Sequence, residues 1–236
     1  MAPRPEVQSR SLWPGDGPKD LARKRVRGVG ETAAPPVLDG CVTDSVVSAV
    51  RSHLDQHIGG PEPTAASVTF LGLEPVDVLR YPGTGDAPVR YVSLGCSRHP
   101  MGDPSDMIAD PTRGPRAELV LSLVGGAGVA SGVHRTLAVL AAAPAVEGVV
   151  LRPDGLIDLG EPLWKGVPFT AVLLGESDIP DLELPEPLDP VQFLEVVPLT
   201  GTEAAWVRLK GAAALREAWT EAGIDVRDPG RGAAAL

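Results

Sequence analysis

The stretch Gly95-Cys96-Ser97-Arg98-His99-Pro100-Met101 puts a thiol, a hydroxyl and an imidazole within five positions of one another. A nucleophilic Cys96 would need a base such as His99, and a cation or helix N-terminus to lower its pKa. Arg98 and His99 supply those residue types. The spacing does not supply the geometry, because Cys96 and His99 lie three apart in a turn rich in Pro and Gly. The plainer reading is a small polarizable cysteine at the edge of the core, with Gly95 and Pro100 shaping the turn and Ser97 bonding nearby backbone.

Three other groupings invite chemistry. His53 and His57 in His-Leu-Asp-Gln-His stand one helical turn apart and could share a metal ion. Metalloprotease helices place a glutamate directly after the first histidine, and Leu54 stands there instead, so these read as exposed histidines on an amphipathic helix. Residues 119–137, "LVLSLVGGAGVASGVHRTL", run strand, glycine-rich loop, helix, the order that cradles a pyrophosphate. Gly126 and Gly128 fit that pattern, and "VVLRPDG" (149–155) would be the second strand, with Asp154 late for a ribose contact. Ser131 takes the place of the third glycine, so a structural loop is the reading, and a nucleotide or small-molecule site at 125–132 is the alternative function. Arg116 and Glu118, two apart on one strand face, could pair across a sheet but have no third catalytic member. The stretch holds no Ser-x-x-Lys, nucleophile elbow, Walker loop or paired Cys-x-x-Cys, and neither does the rest of the chain.

Such residues need elements to hold them. With 236 residues, the chain suffices for one substantial domain or a domain with tails. Aromatics are 4% of the residues, so Val, Leu and Ala must make the core. The net charge of −10 repels phosphate backbones and argues against nucleic acid as a partner of the folded part. The start lacks the apolar core of a signal peptide, and the longest apolar stretch, 119–133, is too short for a bilayer. Cys41 and Cys96 alone make no disulfide framework. Together these features predict a cytoplasmic protein with no membrane contact.

Residues 1–40 are rich in Pro, Gly and charge and read as a disordered tail, with the basic run "ARKRVRG" at 22–28 as a solvated segment. A helix follows, with Val46, Val47, Val50, Leu54 and Ile58 on one face, a cap at Thr43 or Asp44 and a stop at Gly59. Strands are expected at 67–73, 76–81, 89–95 and 117–124, the last two half-buried by their alternation. A helix over 131–144 should end at Pro144. Strands at 169–175 and 191–199 flank the acidic loop "ESDIPDLELPEPLDP", read as a solvated connection. Thr200 and Glu203 have capping-box spacing for a helix ending at Lys210 and Gly211, and a second short helix covers 212–223. Residues 224–236 read as a loose tail. The elements do not alternate regularly, which predicts an α+β domain in place of a doubly wound sheet.

The segments "VRYVSLGCSRHPM" and "RAELVLSL", followed by "FTAVLL", "VQFLEVVPLTGTE" and "LKGAAAL", resemble the suppressor of fused family in order and spacing over residues 42–222. The resemblance implies a single mixed, largely antiparallel sheet with flanking helices over 41–223, similar to the N-terminal domain of the animal protein. It implies a non-enzymatic binder of a partner protein, with no cofactor and no metal. Bacterial members that resemble immunity proteins extend this to neutralising a partner. On this reading Gly95, Cys96, Ser97, His99, Arg116 and Glu118 are candidate binding residues, set where a central strand ends beside its neighbour.

Overall fold

β4 (Arg116–Leu123) and β7 (Val191–Thr200) lie parallel to each other inside a seven-stranded sheet, with Arg116 opposite Val191 and Val120 opposite Glu195. A computed structural model describes residues 39–70, 72–102, 110–128 and 130–234, with side chains from Thr43 onward. The expected tail falls, up to residue 38, outside the described residues, and so does the side chain of Cys41.

Every other strand pair is antiparallel. β1 (Thr64–Val68), β2 (Val76–Tyr81) and β3 (Val89–Leu94) extend the sheet beyond β4. On the other side β6 (Phe169–Glu176) and then β5 (Leu156–Asp158) follow β7. The order is β1-β2-β3-β4-β7-β6-β5. Among the described residues four helices complete the fold: α1 (Asp39–Ile58), α2 (Val133–Glu147), α3 (Gly201–Lys210) and α4 (Ala212–Glu221). The expected α+β class with one mixed, largely antiparallel sheet is the architecture observed.

Helices cover both faces, which changes how the central strands are buried. Ala117, Leu119, Leu121 and Leu123 of β4 pack with Val133, Leu137 and Leu140 of α2. On the opposite face Val120 packs with Val46, Val50 and Leu54 of α1, with Phe193 of β7, and with Ile179 of the acidic loop. All eight residues of β4 are therefore buried, not the expected alternate half. Further along that face, Ala171, Leu173 and Leu199 meet Ala204 of α3 and Leu215 and Trp219 of α4.

The acidic loop is also more than a solvated connection. Ile179 is buried, and Leu182, Leu184 and Leu188 pack toward α1 while Glu176, Asp181, Glu183 and Glu186 face solvent. Its apolar residues close the side of the α1 cluster that the helix leaves open.

Several boundaries differ from those expected. α1 already starts at Asp39, so Thr43 and Asp44 lie inside the helix and do not cap it. The first strand is Thr64–Val68, ahead of Phe70, which packs onto the α2 cluster from a non-strand segment. Residues 149–155 form no strand, and a short one follows at Leu156–Asp158. Pro144 does not end α2. The helix runs to Glu147 and stops at Gly148, whose φ of +68° lets its N–H reach Pro144 O at 3.1 Å. A proline so near the C-terminus removes only one interior N–H. Past α4, residues 224–234 do not hang loose: Ile224 and Val226 pack against the α3–α4 cluster, and Arg231 and Ala234 are buried.

Candidate functional site

β3 ends at Leu94, and Gly95, at φ +122°, turns the chain into a 3-10 turn over Cys96–Arg98. A side chain at 95 would be strained in that conformation. The turn lies across the start of β4, where Arg116 and Glu118 share the face opposite Ala117 and Leu119. Glu118, with no exposed surface, accepts from Gly95 N–H (2.9 Å), Ser97 N–H (3.0 Å), Ser97 Oγ–H (2.6 Å) and the Ser93 hydroxyl. Arg116, 2% exposed, donates through Nη1 to the carbonyls of Ser97 and Arg98, both at 2.8 Å, and through Nη2 to Thr112 O at 3.1 Å.

The glutamate therefore takes the turn's donors and the arginine takes its acceptors. The expected pairing of Arg116 with Glu118 is replaced by a clamp on main chain. Burial lowers the Arg116 pKa, opposed in part by the charge of Asp189. Asp189 itself accepts from Gly114 N–H at 2.6 Å, tying the acidic loop to the segment that leads into β4.

Cys96 is half-buried beside this clamp. Burial pushes its thiol well above the ordinary range, and the charge of Glu118 adds to that. His99 does not serve it: His99 Nε2 meets Glu74 Oε2 at 2.9 Å on the surface. A thiol with a raised pKa and no base is a poor nucleophile.

The six candidate residues do come together, in two layers. Gly95, Cys96 and His99 line a cleft of about 370 Å³ with Leu73, Met101 and Ala145. Ser97, Arg116 and Glu118 are buried behind that wall and fix its shape.

The other groupings are absorbed by the fold. His53 Nε2–H donates to Pro180 O at 2.7 Å, and the ring stacks on Phe193 at 5.3 Å. His57 Nδ1–H donates to His53 O at 2.9 Å. In the glycine loop, Tyr91 Oη donates to Ala127 O (3.1 Å) and accepts from Ala127 N–H (3.0 Å). Gly126 N–H bonds Leu123 O, and Ser131 N–H bonds Gly128 O. A Cβ on Gly126 would approach Val89 Cγ2 to 2.9 Å, so this glycine answers to packing. The strand after α2 is β5, antiparallel to β6 at the far edge of the sheet, so the parallel neighbour of a dinucleotide unit is missing.

Two carboxylates do more than their sequence context indicates. Glu203, expected only as a capping residue, makes the capping box with Thr200 and also holds Arg231 in a buried ion pair at 2.7 Å. Its capping-box spacing was visible, but its long-range partner was not. Glu195 on β7 lies on the same sheet face as Phe193 and Val197, between the α1 and the α3–α4 packing, and accepts from Ser122 N–H at 3.2 Å. Burial outweighs that bond and the Arg90 charge, and its pKa rises to about 7.

Residues 72–232 match the family model described as suppressor of fused protein. The chain belongs to the suppressor of fused family. Solved suppressor of fused structures share its fold. The homolog from Neisseria gonorrhoeae is 21% identical, with 82% of this chain and 98% of that one covered at a TM-score of 0.61. Drosophila suppressor of fused is 15% identical, with 80% of this chain and 50% of that one covered at 0.58, so this chain spans half of that protein. A chain of the Sufu–Fu complex is 12% identical, with 82% and 91% covered at 0.56. No curated protein matches the chain in sequence. Among the described residues, no helix is long and apolar enough to cross a membrane.

Proposed function

We propose that this suppressor of fused domain is a non-enzymatic, cytoplasmic protein-interaction module that binds, and in an immunity-like manner neutralises, a basic partner protein. The observation that carries the reading is membership of a family in which a chain of the same fold is found in a Sufu–Fu complex. The geometry supports it: His99 is engaged by Glu74, Arg116 and Glu118 are spent on holding the 95–98 turn, and the Cys96 thiol is pushed up by burial.

The exposed carboxylates of Glu176, Asp181, Glu183 and Glu186, fixed by the inward leucines of the same loop, suit a basic partner. Gly95, Cys96 and His99 line the cleft and would touch the partner, with Ser97, Arg116 and Glu118 as the support behind them.

The test is affinity capture from the native host, then calorimetric titration of the purified captured protein. The expected result is a partner that binds at defined stoichiometry, with affinity falling about tenfold when Glu176, Asp181, Glu183 and Glu186 become the corresponding amides. Repeated capture without a stoichiometric partner would overturn the reading.

A further inference from the structure

Residues 224–234 join the rest of the fold through two main-chain bonds, the partly buried Ile224 and Val226 on the α3–α4 cluster, and two fully buried residues. Ile224 N–H donates to Trp219 O and Arg227 O accepts from Val124 N–H, both at 2.9 Å. Other main-chain bonds stay within the segment, Asp228 to Asp225 and Arg231 to Asp228. Only Arg231 and Ala234 are buried outright.

Arg231 enters a pocket walled mainly by Phe169, Pro198, Glu203 and Trp219, and its Nη1 also donates to Gly232 O of its own segment at 3.1 Å. Its Nη1 meets Glu203 Oε1 at 2.7 Å and its Nη2 meets Glu203 Oε2 at 3.2 Å, while Nη2 also donates to Pro198 O at 2.6 Å. The guanidinium lies 5.0 Å from the centroid of Phe169 and 5.5 Å from that of Trp219. Glu203 is aimed without help from the segment: Thr200 N–H and Oγ–H donate to Oε2 at 2.9 and 3.0 Å, and Trp219 Nε1–H donates to Oε1 at 2.9 Å. Ala234 N–H adds a bond to Oε1 at 3.3 Å.

A two-point carboxylate between two aromatic faces, with a carbonyl beside it, matches a planar guanidinium and fits a lysine ammonium poorly. Two rings within 6 Å of the cation add attraction at both faces. An emptied pocket would exchange the Arg231 guanidinium for water at Glu203, a weaker partner for its charge, which favours a filled state whichever guanidinium fills it. A segment with two buried anchors opens locally far more readily than a ladder strand such as β7.

The geometry points to an arginine-reading peptide site formed by Phe169, Pro198, Glu203 and Trp219, filled in cis by the 224–234 segment, which yields to an arginine-anchored segment of a partner protein. The partner step rests on the interaction reading above; the cis occupancy does not.

The test uses the full chain with Arg231→Ala and a synthetic peptide of residues 224–234. The peptide is expected to bind this variant one to one, and a peptide with alanine at 231 to bind at least about 100-fold more weakly. The wild-type chain, whose own segment competes, binds the peptide more weakly than the variant does. In the wild-type chain, amides of 224–234 should exchange hydrogen at least about 100-fold faster than those of β6 and β7. Equal binding of the two peptides, unfolding of the variant at room temperature, or exchange of the segment only with global unfolding would each overturn the proposal. Peptide binding with no captured partner leaves the pocket standing and removes the partner reading; the reverse outcome removes the pocket alone.

Discussion

Glu118 on β4 and Glu203 on α3 are both fully buried, and each has an arginine close by, yet the two regions use those pairs in opposite ways. Around the 95–98 turn, Arg116 and Glu118 ignore each other, one holding carbonyls and the other holding N–H and O–H groups. In the 200–234 region, Glu203 and Arg231 grip each other while the glutamate also caps α3. A turn laid over a strand end carries donors and acceptors that have lost water, and one residue of each polarity must answer them. A segment with two buried anchors needs a long-range anchor, and an ion pair provides one. The first arrangement is knit into the sheet, and the second can come apart.

The sharpest break in this comparison comes at Glu118. Replacing it with alanine strands four donor groups in the turn and β3, and should cost about 4 kcal/mol in urea unfolding. A loss below about 1 kcal/mol would mean that the clamp does not organise the turn.

At the second region the two partners should differ from each other. Glu203→Ala removes the cap and the ion pair together, and should cost about 3 kcal/mol. Arg231→Ala should cost only about 1–2 kcal/mol, because the freed segment lets water reach Glu203. Equal losses, read from the same unfolding curves, would show that the segment is as integral as the clamp.

Glu195 sharpens the contrast, because it has neither an arginine partner nor a full set of donors. Its folded pKa of about 7 lies above the ordinary 4.5, so the native state holds a proton that the unfolded chain releases between those values. That contribution is whole below pH 4.5 and is lost as pH rises through 7. Glu195→Gln should match wild type at pH 4.5 and exceed it by about 2 kcal/mol at pH 8.

Glu203 slopes the other way. Burial alone would raise its pKa, but the Arg231 guanidinium, Thr200 N–H and Trp219 N–H outweigh burial and hold it low. Its contribution is present above the ordinary carboxylate range and fades as pH falls through the lowered value. Equal acid sensitivity in wild type and Glu203→Gln would contradict that assignment.

Much of the fold could be read locally. The apolar face of α1, the runs of β2, β3, β4, β6 and β7, and the Thr200–Glu203 box each announce themselves within about ten residues. Burial on both faces of β4 could not be read, because it depends on α1 and α2 arriving from distant parts of the chain. Gly126 looked like a phosphate-loop glycine because glycine type is visible in sequence and its contact with Val89 is not. Arg116 and Glu118 drew attention as a pair because they are two apart, but their partners in the 95–98 turn, 18–23 residues away, gave no signal. Arg231 was passed over entirely: a lone arginine in a Gly- and Ala-rich stretch has no period, and its partner lies 28 residues back.

The Gly95–Arg98 turn is a scaffold held by Arg116 and Glu118, and its surroundings suppress the Cys96 thiol and do not activate it. Alkylation of Cys96 by iodoacetamide in a Cys41→Ser chain, followed against pH, tests it most directly. Burial and Glu118 predict labelling slower than a free thiol at neutral pH, with the rate still climbing past pH 9. A rate that exceeds a free thiol's and levels off near neutral pH would contradict it.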